Sequence, residues 1–588
     1  MKKSLLVLSI VLTALIACRK PDNEANNLMT YAKVYGYVKY FHPSDEAVSI
    51  DWAKFSAFGA KEIEKCRTKS QMINTLNRLF NPIAPSVKFT ISQNKPDYDL
   101  NIITPANPSE YRLTYWQHKG VSIGMRKTNY APYTSVRANR ENTTEDNKLF
   151  DYQPDLKYII TKEIGNGIYC QVPVVLYCNN KNTYPKSDST LYMNLMDKLN
   201  LFDYSNEQPA LRLGNVINIY NVFQHFYPYF DVIKINWVEE FSKAILRSFN
   251  DKTLKDHLIT LQKFTAPLRD GHLNVYGGSS EYFAPPIAWE WAENKLVISK
   301  YFENKPDIHI GDIVTKIDGI EPEKYFENIY SLTSAPTKGW LDHRANVSSL
   351  MGEEGSKLTL TINGKSIDII RDKNMTVYYS FYRDKEIRYK VIGDSIWYLN
   401  MDRIEMDTIN KLLPRLVKCR AIICDARGYP NGNHDLIKHL MKTDDTTSAW
   451  MQVPEIVYPD QENIVGFEKH NWISMMKASR PYLGDKKIIY IINGSAISYA
   501  ESCLGYIEGY KLATIVGQPS AGTNGNVNSF TLPGGFNISF TGMKVVRHDG
   551  SQQHGIGILP DIYITKTIKG IQEGRDEFLE KAIELANK

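Results

Sequence analysis

From about residue 388 the chain alternates short apolar runs with amphipathic ones: SIWYLNMD, a helical pattern through INKLLPRLVK, AIICDARG, KKIIYIIN, then a second helical pattern from about Ser498. Apolar runs of strand length alternating with helices predict a layered α/β domain with a buried, partly parallel sheet over residues 376–588. Upstream the pattern changes three times. Residues 28–95 and 206–284 each read as two or three amphipathic helices, with proline ending the first. Residues 96–205 hold β-rich runs such as LKYIITKEI and IYCQVPVVLYC between Asn, Asp and Gly clusters. Residues 285–375 alternate at period two around Gly-Asp and Asp-Gly turns. The expected architecture is multidomain, α+β and α/β.

The two helical segments resemble each other. Phe41, Pro43 and Trp52 correspond to Phe226, Pro228 and Trp237 at a constant offset of 185 (226 − 41), and Leu76–Val87 aligns with Leu261–His272 without a gap. This reads as a duplicated helical unit, with the β-rich domain inserted between the copies. In the third segment IHIGDIVTKIDGIEP, followed by KLTLTINGKSIDII, resembles a PDZ domain. Such domains bind extended chain ends at an exposed sheet edge.

Composition narrows the function. Of 588 residues, 43% are apolar and 23% charged, as in a soluble globular protein, and the length suits roughly three or four domains. A net charge of +5 with no recurring Lys/Arg stripe argues against nucleic acid as a partner. At the start, Lys2 and Lys3 precede an apolar run from Leu5 to Ile16 that ends in LIAC, similar to a bacterial lipoprotein signal. Residues 1–17 would be removed and Cys18 lipidated, with 18–27 as a tether. The expected location is the cell envelope, anchored by lipid in the membrane and facing the periplasm or cell surface. None of the other six cysteines has the paired spacing of a zinc site, and no metal or cofactor is called for. Cys170 and Cys178 could form a disulfide there or stay as buried thiols.

Candidate chemistry concentrates in KKIIYIINGSAISYAESCLGYI, which predicts a strand, a turn of small residues and a helix. A serine at a helix start sits beside unpaired backbone N–H groups and the positive end of the helix dipole. Ser495 and Ser498 there suit either a nucleophile or plain helix caps.

GSAISYAE is similar to the SASASE-type nucleophile motif of the tail-specific, or C-terminal processing, serine peptidases, which include the tricorn core protease. Three further strings follow in the family's order: CDARGYPNGN (Cys424–Asn433), AGTNGN (Ala521–Asn526) and HGIGILPD (His554–Asp561). The resemblance spans roughly residues 210 to 565. It implies a ClpP/crotonase-like α/β peptidase core with Ser498 as nucleophile. The processing branch places a lysine base 25 residues after the nucleophile, where this chain has Thr523. The tricorn-like branch instead takes a histidine from a DGH or DSH string, which implies His272 in LRDGHLNV. The first helical copy has Val87 at the matching position, so only the second copy carries a base. Imidazole serves as a base near neutral pH with little tuning.

Backbone amides of Tyr499, Gly432 and Asn431 are the expected oxyanion donors. The family's closing glutamate is absent, because His554 stands in that segment. Glu501, His554 and Asp549, with Gln553, are the candidates left to orient the base. The reading is a metal-free serine endopeptidase acting on unfolded or C-terminal segments of envelope proteins or peptides. A non-catalytic lipoprotein binding peptides or apolar ligands on the same fold, as in retinoid-binding repeats, is the alternative. An esterase or amidase would share every part named.

Overall fold

The computed structural model describes residues 23–121, 132–140, 148–205, 208–277, 282–302, 307–383, 387–447, 449–471 and 476–588. Cys18 and the apolar run before it lie outside these. No helix among the described residues is long and apolar enough to cross a membrane.

A six-stranded sheet organises the C-terminal core, in the order Tyr389–Ile392, Ile396–Asn400, Ala421–Asp425, Lys487–Ile492, Thr514–Gly517 and Ile562–Tyr563. The first pair is antiparallel and the rest are parallel. Every residue of Ile396–Asn400 and Ala421–Asp425 is buried, which follows from covering both faces of a parallel sheet. One face carries Leu399, Ile422 and Tyr490 against Leu412, Leu504 and Ile507 from the helices Met406–Leu416 and Tyr499–Gly509. The other packs Ile423, Ile489 and Val516 against Phe578 and Ala582 of the helix Glu577–Asn587.

The helices of the two related segments have matching bounds. Trp52–Ile63 and Lys69–Phe80 answer to Trp237–Ser248 and Leu254–Thr265, each shifted by 185 (237 − 52 and 254 − 69). Both second helices open with a reciprocal capping box, Thr68 with Gln71 and Thr253 with Asp256. The helix over 23–41 and the nearly all-buried helix Pro209–Phe226 lie at their centre, tied by Tyr35 Oη to Asn218 Oδ1 at 2.7 Å.

The β-rich region does not close on itself. Arg112–Lys119 pairs with Met451–Ile456 of the core, so a seven-stranded sheet crosses the boundary expected near residue 205. No disulfide joins Cys170 and Cys178. Both are buried free thiols, held on strands of different sheets. A second link between distant segments is a three-stranded sheet of Asn274–Tyr276, Phe536–Thr541 and Val527–Leu532.

Between residues 287 and 370 runs a five-stranded antiparallel meander, with the helices Pro322–Ser331 and Lys338–Ser348 between its third and fourth strands. The second of these helices touches the core. Thr337 Oγ1 donates to the carbonyl of Ala521 at 2.9 Å, and a Cβ placed on Gly339 would lie 3.0 Å from Gly494 Cα.

Candidate active site

Strand Lys487–Ile492 delivers the chain to its carboxyl end, the side of a parallel sheet where ligands bind. The turn that follows is shaped by Asn493, whose Oδ1 accepts the Ser495 amide at 3.1 Å and lies 2.6 Å from Ser495 Oγ. Gly494 is required, because a Cβ there would meet the Gly339 carbonyl carbon at 2.4 Å. Ser498 then adopts φ 58° and ψ −115° at the N-cap of the helix Tyr499–Gly509. A left-handed serine costs about 1–3 kcal/mol, the kind of strain that collects at functional turns.

The Ser498 side chain makes no capping hydrogen bond. Ser495 does not cap the helix either, since its hydroxyl is within bonding distance of Asn493 Oδ1 and of the Arg427 carbonyl at 2.9 Å. Of the two readings the sequence leaves open for Ser498, the cap is therefore unsupported. Its backbone is anchored instead: the Ser498 amide donates to the Thr523 carbonyl at 2.9 Å.

The DGH string reaches the same place. Thr523 Oγ1 accepts the Gly271 amide at 2.9 Å, and a Cβ on Gly271 would lie 2.9 Å from Ile497 Cδ1. Gly271 and Ile497 thus touch, and His272 and Ser498 are the residues that follow them. Arg269, at φ 49°, bends the chain into this turn. His272 is half-buried, with its Nδ1 2.9 Å from Thr541 Oγ1, and burial lowers its pKa while the charge of Asp270 opposes the shift. Neither Ser498 Oγ nor His272 Nε2 is hydrogen-bonded to a described residue. Serine–base contacts tighten when substrate binds.

The expected oxyanion donors fare unequally. Tyr499 opens the helix, where amides point out of the helix start. The loop before it packs close by, with His434 Nδ1 2.9 Å from Tyr499 Oη and the rings of Tyr429 and Tyr499 5.5 Å apart. Gly432, exposed at φ 64°, leaves open space where a side chain would stand. Asn431 is a correction: its amide already donates to the Met401 carbonyl at 2.9 Å, so it cannot serve an oxyanion.

None of the four expected orienters hydrogen-bonds His272. Glu501 is buried and accepts from Ser520 Oγ and, at 2.7 Å, from the Gly522 amide, so it braces the loop that carries Thr523. His554 stacks on Tyr229 at 3.8 Å, and its Nε2 lies 3.1 Å from the Arg269 carbonyl, behind the DGH turn. Asp549 accepts the Ser551 amide at 2.9 Å in an exposed turn, and Gln553 accompanies the buried closing segment. The residues that do hydrogen-bond His272 are Thr541, at its ring, and Asp270 and Ser539, at its backbone. Asp270 stood in view inside the DGH string; Thr541 required knowledge of which strand pairs with residues 274–276.

Residues 396–564 match Peptidase family S41. A carboxy-terminal-processing protease of Bartonella bacilliformis is 26% identical over 284 residues, covering 46% of this chain and 58% of that protein. A "Probable CtpA-like serine protease" of Staphylococcus haemolyticus is 25% identical over 284 residues, covering 46% and 50%. The chain thus spans about half the length of the curated relatives it matches. Among solved structures, mature CPAF complexed with lactacystin superposes with a TM-score of 0.52 at 16% identity, over 64% of this chain and 98% of that one. That likeness establishes a shared mixed α/β, multidomain fold. The match to peptidase family S41 thus falls on the part of the chain that carries the serine turn and the buried parallel sheet.

Proposed function

We propose that the chain is a serine endopeptidase of the tricorn-like kind, with Ser498 as nucleophile and His272 as base. The observation that carries the reading is Thr523, which binds the Ser498 amide with its carbonyl and the Gly271 amide with its hydroxyl. Ser498 Oγ bonds to the peptide carbonyl carbon while its proton passes to His272 Nε2. Amides of Tyr499 and the Gly432 loop stabilise the oxyanion. His272 returns the proton to the leaving amine as the C–N bond breaks. Water then repeats the cycle on the acyl-enzyme, with His272 again as base.

The substrate would be an unfolded or C-terminal segment of a protein or peptide, presented by residues 285–375 acting as a PDZ-like module. Cys18 would hold the enzyme by lipid at the cell envelope, on the strength of the charged start and apolar run before it.

Fluorophosphonate labelling and casein digestion test the reading. Wild type should label at Ser498 and digest casein, while Ser498→Ala and His272→Ala should do neither. Equal labelling of all three proteins would overturn it. Labelling and ester turnover without peptide cleavage would leave an esterase, and no labelling at all a binding protein.

A further inference from the structure

Resting on that reading of Ser498 and His272, we propose that Thr541, backed by Asp270, is the positioning group for the base: its hydroxyl holds His272 in the Nδ1–H tautomer and relays Asp270 to the ring. In a Ser-His-Asp triad the carboxylate contacts the imidazole directly. Here a hydroxyl stands between them.

Counting donors fixes the direction of each bond. Asp270 is fully buried and accepts the His272 amide at 2.9 Å, the Thr541 amide at 2.6 Å and the Thr541 hydroxyl at 2.7 Å. No ion pair to Asp270 is present among the described residues. A carboxylate only accepts, so the single proton of Thr541 Oγ1 points at Asp270. At its other side Thr541 Oγ1 lies 2.9 Å from His272 Nδ1 and must accept there. Nδ1 therefore carries the proton. Nε2 keeps its lone pair, as a base facing Ser498 requires. When Nε2 takes the serine proton, the new positive charge is one hydroxyl away from a buried negative one.

The constellation is built by two elements. Asn274 pairs with Ser539 and Val275 with Ile538 in the antiparallel sheet, and the same register carried two residues on sets His272 across from Thr541. Ser539 Oγ donates to the His272 carbonyl at 2.8 Å and fixes that register. The carboxylate missing from the closing segment, where His554 instead props Arg269, is thus supplied by Asp270.

The test compares Thr541→Val, which keeps the shape, with Thr541→Ser, which keeps the hydroxyl. Thr541→Val should lower kcat about 100-fold or more with KM within about threefold, and Thr541→Ser should restore kcat to within about threefold of wild type. Independently of any variant's folding, 15N-histidine spectra of the wild-type protein, with His272 assigned by its loss in His272→Ala, should show Nδ1 protonated and Nε2 bare. The opposite tautomer would overturn the proposal. So would a Thr541→Val that keeps kcat in a protein that needs His272, which leaves the site reading intact. Wild-type hydrolysis by His272→Ala would bring down both.

Discussion

Thr523 joins Ser498 to the turn that carries His272: its carbonyl takes the Ser498 amide and its hydroxyl the Gly271 amide, each at 2.9 Å. The position is the one a lysine base would occupy in the processing branch. Here it is fully buried, with Gly271 packed against its side chain, so there is no space for a lysine. In place of a titratable group, this position carries a latch between the Ser498 turn and the DGH turn.

Replacing Thr523 by Val, which exchanges the hydroxyl for a methyl, should therefore do more than remove one polar group. The buried Gly271 amide would lose its acceptor, at a cost of about 1–3 kcal/mol. Urea unfolding should show that loss, and peptide hydrolysis should fall with it. Thr523→Lys should not rescue His272→Ala. Recovery of activity in that double variant would mean the lysine mechanism is still available on this scaffold.

Gly339, in a helix of the meander region, and Gly494, in the turn before Ser498, lie directly against each other. Neither has a positive φ, so a side chain at either place is penalised by contact alone. An alanine at 339 would press its Cβ to 3.0 Å from Gly494 Cα, and one at 494 would reach 2.4 Å from the Gly339 carbonyl carbon. Overpacking of this kind costs about 1–3 kcal/mol. Gly494→Ala should lower kcat and Tm more than Gly339→Ala does, and the reverse order would refute the contact as its cause.

Much of this was legible in the sequence, for identifiable reasons. The α/β core showed because parallel strands buried on both faces leave unbroken apolar runs, as in AIICD and KIIYII. Ser498 showed as a serine at a strand-to-helix turn, but only its φ and its unused side chain separate it from a cap. Asn431 misled because nothing local reveals that its amide is taken by Met401. Thr541 was invisible for a different reason. Its partner His272 lies 269 residues away, and strand pairing between such distant segments leaves no periodic signal.

With His272 as the proposed base, peptide hydrolysis should be lost in acid. Burial lowers its pKa, Asp270 raises it, and the net shift is downward from the usual 6.5. The base works only when neutral, so kcat/KM should hold as pH falls past about 6.5 and drop at a lower value set by the folded protein. Asp270→Asn removes the opposing charge and should push that acid limb further down. An acid limb above 6.5, or one that Asp270→Asn raises, would contradict the environment drawn for this histidine.

Glu501 gives a pH dependence of the other sign. Burial raises its pKa to about 7, opposed first by its bond from Ser520 and then by the Gly522 amide, with smaller contributions from Gln553 and the Thr523 amide. A carboxyl whose folded pKa exceeds its unfolded one favours the folded state fully below the unfolded value, near 4.3, and that support is lost as pH rises through the folded value. Glu501→Gln keeps an oxygen to accept both bonds and removes the titration. Its Tm relative to wild type should therefore climb from about pH 5 and level off above about 7. Because Glu501 braces the loop rather than the base, the variant should still label with fluorophosphonate at Ser498. A Tm difference that stays flat across that range would show that Glu501 remains ionised in the folded protein throughout. Loss of labelling with Tm unchanged would instead return Glu501 to the catalytic machinery.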